Sequence, residues 1–339
     1  MHDILSVIET KVLIENICAL LECRISFGKR RDGSPMVYED MLMVKVAWYY
    51  YFEGKTQQQI ADLMGIHRMR VVKLLDAARQ NGIVRFQLRK DNESRMALER
   101  ELIARFQLED AFIVPAGDEG DTSLDSLAEA ASMYIRDRLG DHSYINIGYG
   151  STPHRILNNL ATMAETPLNC ISLTGGVSYY LPDVRSHVFN AHLHLIPSPL
   201  FTSSPEMARA MWEEASVQEI TRMISLAEMS VVGIGAMDPE ATLFRSGVLS
   251  PSDLTYLEMH GAAGDLLSHF FDDDGCLIET PLEARLVSAG LDTLRGLKRV
   301  IGVAAGEKKV RAIRAALKTG SLNILITDTG TAERIISNS

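Results

Sequence analysis

The 339-residue sequence contains only four cysteines and no long apolar run, and both shortages restrict what the protein can be. The cysteines are scattered and form no CxxC pair, which argues against a zinc knuckle and against a disulfide framework. No apolar stretch reaches the length of a membrane span, and the first residues have no secretory signal pattern. We therefore expect a cytoplasmic protein in a reducing environment, with no membrane partner, no metal and no cofactor.

Basic residues are also fewer than acidic ones, which gives a formal net charge of −10. The basic residues are nevertheless concentrated in one segment. Residues 29–90 contain 12 Lys and Arg against 6 Asp and Glu, whereas residues 91–339 contain 20 against 34. A basic segment neutralises nucleic acid phosphates, and an acidic body is repelled by them. The distribution predicts a nucleic acid-binding domain joined to a larger domain with another role.

Residues 56–84 have the pattern of two helices around a tight turn, in which Gly65 supplies the left-handed residue. The second helix has an apolar stripe at spacings of three and four, made of Val71, Leu74, Leu75 and Ala78. Basic and polar residues open this helix, as in the recognition helix of a helix-turn-helix. The predicted DNA contacts are Thr56, Gln57, His67, Arg68, Met69, Arg70 and Lys73. For the basic residues, contact with phosphate alone or with solvent is the alternative.

The flanking sequence extends this motif to a small domain at residues 39–90, after an N-terminal extension at residues 1–38. Residues 39–51 are predicted to form its first helix, and the alternating residues 84–89 indicate a short strand, or wing. The residues predicted on the core face of the first helix are Leu42, Val46, Tyr49 and Tyr50. The apolar part of the extension is short for an isolated helix and needs a packing partner.

From residue 111 onward, short β-rich runs alternate with helical stretches. Strands are predicted at residues 111–115, 144–148, 169–175, 194–197, 231–235, 299–304 and 322–328. Repeated strand–helix alternation predicts a mainly parallel α/β sheet, in a domain that we place at residues 91–339. Ligands of such sheets bind outside the carboxyl ends of the strands.

Glycine and small polar clusters stand at or near several of these strand ends. Glycine lets backbone amides approach an anion, and the N-terminus of a helix favours negative charge. Together the clusters predict a phosphate or phosphosugar pocket, although each glycine by itself also fits an ordinary tight turn. The clusters are residues 148–152, 174–176, 203–205, 233–235 and 305–309.

Several side chains outside the glycine clusters are candidates for the same pocket. Asp265 could accept hydrogen bonds from sugar hydroxyls, with a helix cap as the alternative. Arg245 could bind a phosphate with two parallel hydrogen bonds, with a surface ion pair as the alternative. His192 and His194 lie at i, i+2 on one predicted strand, but no third ligand accompanies them, so we predict no metal site.

The chain resembles the SorC family of sugar-responsive transcriptional regulators over roughly residues 40–337. The resemblance is carried by the helix-turn-helix and by ordered motifs that include IGYGST, SLTGGV, SSPEMAR, FRSGVLS, GAAGDLLSHFFD and GVAAGEKKVRAI. It implies an N-terminal helix-turn-helix and a Rossmann-like effector domain similar to phosphosugar isomerases and glucosamine-phosphate deaminases. It also implies operator DNA, a phosphorylated sugar effector, and assembly as a homodimer or homotetramer.

By match to the motifs of that family, the effector-binding positions are Gly150, Ser151, Thr152, Gly175, Gly176, Arg245, Asp265 and Lys309. The chain departs from the family at Ala305, where a second glycine is common, and at Val72, where a small hydroxyl residue is common. The departure at Ala305 concerns the loop that contains Lys309, and the departure at Val72 concerns one contact with the DNA backbone.

Two other functions compete with a regulator. The first is a sugar-phosphate isomerase or deaminase that carries a DNA-binding domain, but Asp265 then lacks a partner acid or base in a comparable strand-end motif. The second is a DNA-binding protein whose larger domain serves only assembly, which the intact glycine clusters disfavour. The regulator is the function that the sequence predicts, and no enzymatic activity is expected.

Overall fold

The computed structural model describes residues 38–84, 90–115, 121–181 and 189–337, which form two compact units. The first unit ends at Ser94 and the second begins at Arg95. The boundary falls near the start of helix α4 (Lys90–Phe106), close to the domain limit placed at residues 90 and 91. Residues 1–37 of the predicted extension and residues 85–89 of the predicted wing (84–89) lie outside the described residues, and Tyr38, placed in the extension, instead begins the first helix.

Residues 38–84 of the first unit form three helices: α1 (Tyr38–Tyr51), α2 (Gln57–Met64) and α3 (Arg68–Gln80). Thr56 caps α2, because its hydroxyl accepts from the amide of Gln59 while its own amide donates to the Gln59 side chain. Gly65 then ends α2 with a φ of 65°. The predicted stripe of α3 is buried in full. The helix-turn-helix is therefore present where the sequence predicted it.

The buried face of α1 differs from the prediction. Its core residues are Met43, Val46 and Ala47, whereas Tyr50 is exposed. Leu42 and Tyr49, which were predicted on the core face, pack only at the edge of this core. The error arose because α1 is apolar on several sides, so the spacing of apolar residues does not single out one face.

Seven parallel strands of the described residues form the central sheet of the second unit. They are β1 (Asp110–Val114), β2 (Tyr144–Ile147), β3 (Leu168–Ser172), β4 (Ala191–His194), β5 (Met229–Gly233), β9 (Val300–Val303) and β10 (Ile324–Asp328). Their order across the sheet is β1-β10-β9-β5-β2-β3-β4. The α/β prediction is confirmed. The strand expected at residues 194–197 lies earlier, at Ala191–His194, because the pairing with β3 is made there.

A second, smaller sheet was not predicted. It is antiparallel and consists of β6 (Gly235–Ala236), β7 (Gly264–Leu266) and β8 (His269–Phe271). Strands of two or three residues are too short for a periodic pattern. The aspartates after β8 form a turn, in which Gly275 (φ 77°) donates its amide to the carbonyl of Asp272.

Helices flank the sheets of the second unit. They are α5 (Asp121–Arg136), α6 (Ser151–Met163), α7 (Pro205–Glu213), α8 (Ala215–Met223), α9 (Thr242–Arg245), α10 (Pro251–Met259), α11 (Leu291–Gly296), α12 (Val310–Lys318) and α13 (Thr329–Ser337). The chain passes from β2 outward to β3 and β4, but from β5 in the opposite direction to β9 and β10. The switch point of the sheet therefore lies between β2 and β5, where a crevice opens at the carboxyl ends.

Candidate functional site

A cavity of about 650 Å³ opens at this switch point in the second unit. Its walls come from the segments that follow β2, β5, β9 and β10, together with the small sheet and α9. Its volume lies within the range common for small-molecule sites, about 300–1,000 Å³. Six of the eight predicted effector residues line it, namely Gly150, Ser151, Thr152, Arg245, Asp265 and Lys309.

The first turn of α6 forms one wall of the cavity. Gly150 precedes the helix with a φ of 128°, and as the N-cap residue it has no side chain that could cap the turn. The backbone amides of Ser151 and Thr152 open the helix, and Pro153 has no amide hydrogen. Glycine is suited to residue 150 because an L side chain rarely adopts this backbone conformation. An uncapped helix N-terminus in a cavity is a favourable environment for an anion.

Helix α9 places Arg245 in the same cavity. The Thr242 hydroxyl lies 3.4 Å from that of Ser151, so the start of α9 contacts the first turn of α6. Arg245 is exposed and makes no ion pair with the described residues. By contrast, Lys308 in the cavity wall pairs with Asp238 at 2.9 Å. Arg245 is thus a cation available to a ligand.

Asp265 lies deeper, on β7, and is only 9% exposed. Its Oδ2 accepts from the Ser268 amide at 3.0 Å. Burial raises the pKa of Asp265 to about 6, against the opposing effects of the Ser268 hydrogen bond and the Lys309 and His269 charges. Gly235 leaves the space for this carboxylate, because a Cβ on Gly235 would lie 1.8 Å from Oδ1.

Lys309 lies at the end of the short helical turn Glu307–Lys309, with Gly306 before it at a φ of 113°. Its Nζ donates to the carbonyl of Ile234 at 3.0 Å. Burial lowers the pKa of Lys309, and the negative charge of Asp265 opposes this effect. The cavity therefore has an ammonium and a carboxylate that can each bind a polar ligand.

Gly175 and Gly176 do not line this cavity. The Gly175 amide donates to the Val287 carbonyl at 2.9 Å, and the Gly176 amide donates to the Ser198 carbonyl at 2.8 Å. Gly175 packs so closely that a Cβ would lie 2.5 Å from the Pro199 carbonyl oxygen. Both amides thus bond to protein groups, and Gly176 instead borders a neighbouring cleft.

Sequence reasoning missed several polar residues of the cavity wall: Asp238, Glu240, Thr242 and Asp328. Asp328 is the last residue of β10 and Asp238 lies just after β6, so the rule that identified the glycines could have found them. Thr242 carries no comparable signal, because the approach of α9 to α6 is a tertiary contact.

In the first unit, the exposed side of α3 is the candidate DNA surface. Because successive residues of a helix are turned by about 100°, Met69, Lys73 and Asp76 lie opposite the buried stripe, and Arg68 and Arg70 lie on its two flanks. Met69 is 66% exposed. All five side chains are at the surface, but only some face directly outward.

The two arginines have different surroundings. Arg68 lines a cleft of about 580 Å³ at the start of α2, together with Lys55, Thr56 and Gln57. Arg70 instead forms an ion pair with Glu39 of α1. His67 is exposed and provides no side-chain cap to α3. The seven predicted DNA residues therefore lie on α3 and at the start of α2.

The described residues contain neither a metal-binding cluster nor a membrane-spanning helix. No group of three or more His, Cys, Asp or Glu there could hold a metal ion. No helix among them is long and apolar enough to cross a membrane.

Known proteins are similar to this chain over both units. The family described as "Putative sugar-binding domain" matches residues 90–337. Transcriptional regulator LsrR of Klebsiella pneumoniae subsp. pneumoniae is 32% identical over 320 residues, which are 93% of this chain and 98% of LsrR. LsrR of Escherichia coli K12 is 31% identical over 302 residues, or 88% of this chain and 95% of LsrR.

Among solved structures, the chain is similar to the full-length sorbitol operon regulator SorC from Klebsiella pneumoniae. The TM-score is 0.63 at 26% identity, over 89% of this chain and 100% of SorC.

Proposed function

The chain belongs to the SorC family of sugar-binding transcriptional regulators, and from that premise we propose that its effector is a phosphorylated sugar bound in the 650 Å³ cavity. The observation that carries this proposal is the uncapped first turn of α6 beside Arg245. The amides of Ser151 and Thr152 and the guanidinium of Arg245 are suited to a phosphate.

The other end of the cavity is suited to hydroxyl groups. The Asp265 carboxylate accepts hydrogen bonds, and the Lys309 ammonium donates them. These two residues and the phosphate site line one cavity, so a single ligand with both kinds of group can engage them. Gly175 and Gly176, which the sequence assigned to the effector, support the neighbouring segment in this proposal and do not contact the ligand.

A thermal-shift series tests the phosphate requirement. Sugar phosphates and the matching unphosphorylated sugars are added to the full-length chain, and Tm is measured, because a ligand of the native state raises Tm. At least one sugar phosphate should raise Tm, and its unphosphorylated form should not. Arg245→Ala should abolish the shift, while Arg209→Ala, which removes an exposed arginine paired with Glu206, should retain it. Equal shifts from both forms of a sugar would refute the phosphate site.

We propose that the cavity binds its ligand without turning it over, as the relatives are transcriptional regulators. The competing enzyme requires an acid–base pair, and Asp265 with Lys309 is the buried pair in the cavity wall that could act as one. NMR spectra of a stabilising sugar phosphate should stay constant over hours with the protein. Conversion that disappears in Asp265→Asn would establish an enzyme.

For the first unit, we propose that α3 enters the major groove of an operator and that the start of α2 contacts the DNA backbone. The cleft at Lys55, Thr56, Gln57 and Arg68 supports this, because backbone amides and cations there suit a phosphate. Two half-sites require at least two copies, so assembly as a homodimer or homotetramer is part of the same proposal. Light scattering on the full-length chain measures the mass of the assembly and so distinguishes a monomer, a dimer and a tetramer.

A further inference from the structure

One arginine of α3, the proposed recognition helix, is already paired with a carboxylate of another helix. Arg70 Nη2 donates to Glu39 Oε1, which joins the first turn of α3 to the first turn of α1. An arginine has five N–H donors, and this contact uses one nitrogen of the guanidinium. The remaining donors can bind a second group at the same time.

This ion pair adds little to the stability of the unit. The Arg70 and Glu39 side chains are 47% and 63% exposed, and exposed pairs contribute little to folding. The packing of α1 against α3 comes instead from buried apolar residues, among them Met43, Val46 and Leu74. Any larger effect of Glu39 must therefore act through the position of Arg70.

We propose that Glu39 is a positioning residue for DNA recognition, an inference that rests on the proposed role of α3. Glu39 holds the Arg70 guanidinium at the flank of α3 before DNA arrives, so that its free donors meet one base edge. A long side chain that is already ordered loses less conformational freedom on binding. Arginine with two parallel bonds to guanine is the commonest specific contact in the major groove.

The charge of Glu39 has the opposite effect on unspecific binding. A carboxylate beside the DNA surface repels phosphates and neutralises part of the Arg70 charge, which weakens attraction to any sequence. Glu39 thus strengthens the base contact and weakens the general phosphate attraction. Its removal should change the two kinds of binding in different directions.

Glu39→Gln in the full-length chain tests this. In vitro selection with the wild-type chain from a randomised duplex pool provides a selected duplex, and the unselected pool provides random DNA. Affinity for the selected duplex should fall roughly three- to tenfold. Affinity for random DNA should stay constant or rise, and Tm should not change. In an Arg70→Ala background, Glu39→Gln should no longer weaken binding to the selected duplex.

Asp62→Asn is the matched control, because it removes one negative charge from the same unit without releasing an arginine. It should not lower affinity for the selected duplex. A parallel loss on both DNAs in Glu39→Gln would show a structural role, and a parallel gain would show plain competition for Arg70; either result overturns the proposal. If the wild-type chain enriches no sequence, the proposed DNA function itself fails, and the role of Glu39 with it.

Discussion

At the scale of single residues, the cavity stands out because two of its buried ionisable groups have perturbed pKa values. Asp265 is buried with a pKa raised to about 6, and Lys309 beside the same cavity has a lowered pKa. By contrast, Arg311 pairs with Asp273 at the surface. Perturbed groups that converge in a cavity are typical of binding sites.

The raised pKa of Asp265 gives a pH-dependent prediction. Burial favours the protonated form, so stability is lost as the pH rises from the unfolded value of 3.8 through the folded value of about 6. Asp265→Asn removes this penalty, which is on the order of 1–3 kcal/mol above pH 6. Thermal melts of the ligand-free chain should show a higher Tm than wild type at pH 7.5 and no difference at pH 4.

The control for that prediction is Asp273→Asn. The hydrogen bond from Arg311 lowers the pKa of Asp273, so the ionised carboxylate is favoured in the folded protein. Removing that carboxylate should therefore affect stability with the opposite sign. This variant should not gain stability at pH 7.5. If both variants raised Tm equally, burial of Asp265 would not be the cause.

Gly175 gives a second prediction at this scale. A Cβ there would lie 2.5 Å from the Pro199 carbonyl oxygen and 2.8 Å from that of Ser198. Backbone atoms cannot move aside cheaply, so Gly175→Ala should destabilise the second unit by roughly 1–3 kcal/mol. Thermal melts should show a lower Tm, while Gly296→Ala, whose Cβ meets nothing within 4 Å, should not. An unchanged Tm in Gly175→Ala would contradict close packing.

At the scale of elements, helix α2 depends on its capping box. The Thr56 hydroxyl and the Gln59 side chain each satisfy an amide at the start of the helix. Thr56→Ala removes the hydroxyl and should cost about 1 kcal/mol. Hydrogen exchange of the α2 amides should be about fivefold faster, and Thr56→Ser should restore the wild-type rate. Equal rates in all three chains would show that the cap does not stabilise α2.

The strands of the large sheet were easier to predict than the elements that close the cavity. Strand β2 is an apolar-rich run followed by Gly148, and β5 is a buried run that ends at Gly233. The short strands β6 to β8 carry no such pattern, yet β7 places Asp265. Their existence depends on pairing between distant segments.

At the scale of the whole molecule, sensing requires coupling between the effector cavity and the DNA surface. Coupling is reciprocal for binding free energies, and typical factors are about 5–150. A sugar phosphate that raises Tm should therefore change the affinity for the selected duplex, and the duplex should change the affinity for the sugar phosphate by the same factor. Fluorescence anisotropy and calorimetry measure the two factors. No change in either would contradict coupling.

The sequence by itself determined the division into a basic helical unit and an acidic α/β unit, because both follow from charge and periodicity along the chain. It also placed Gly150, Arg245, Asp265 and Lys309 at candidate ligand positions, since strand ends and family motifs are local features. Only the tertiary structure showed that Gly150 lines the cavity whereas Gly175 and Gly176 do not, and that Arg70 pairs with Glu39. These outcomes depend on which distant segments come together, and a side chain's local sequence does not encode its neighbours in space.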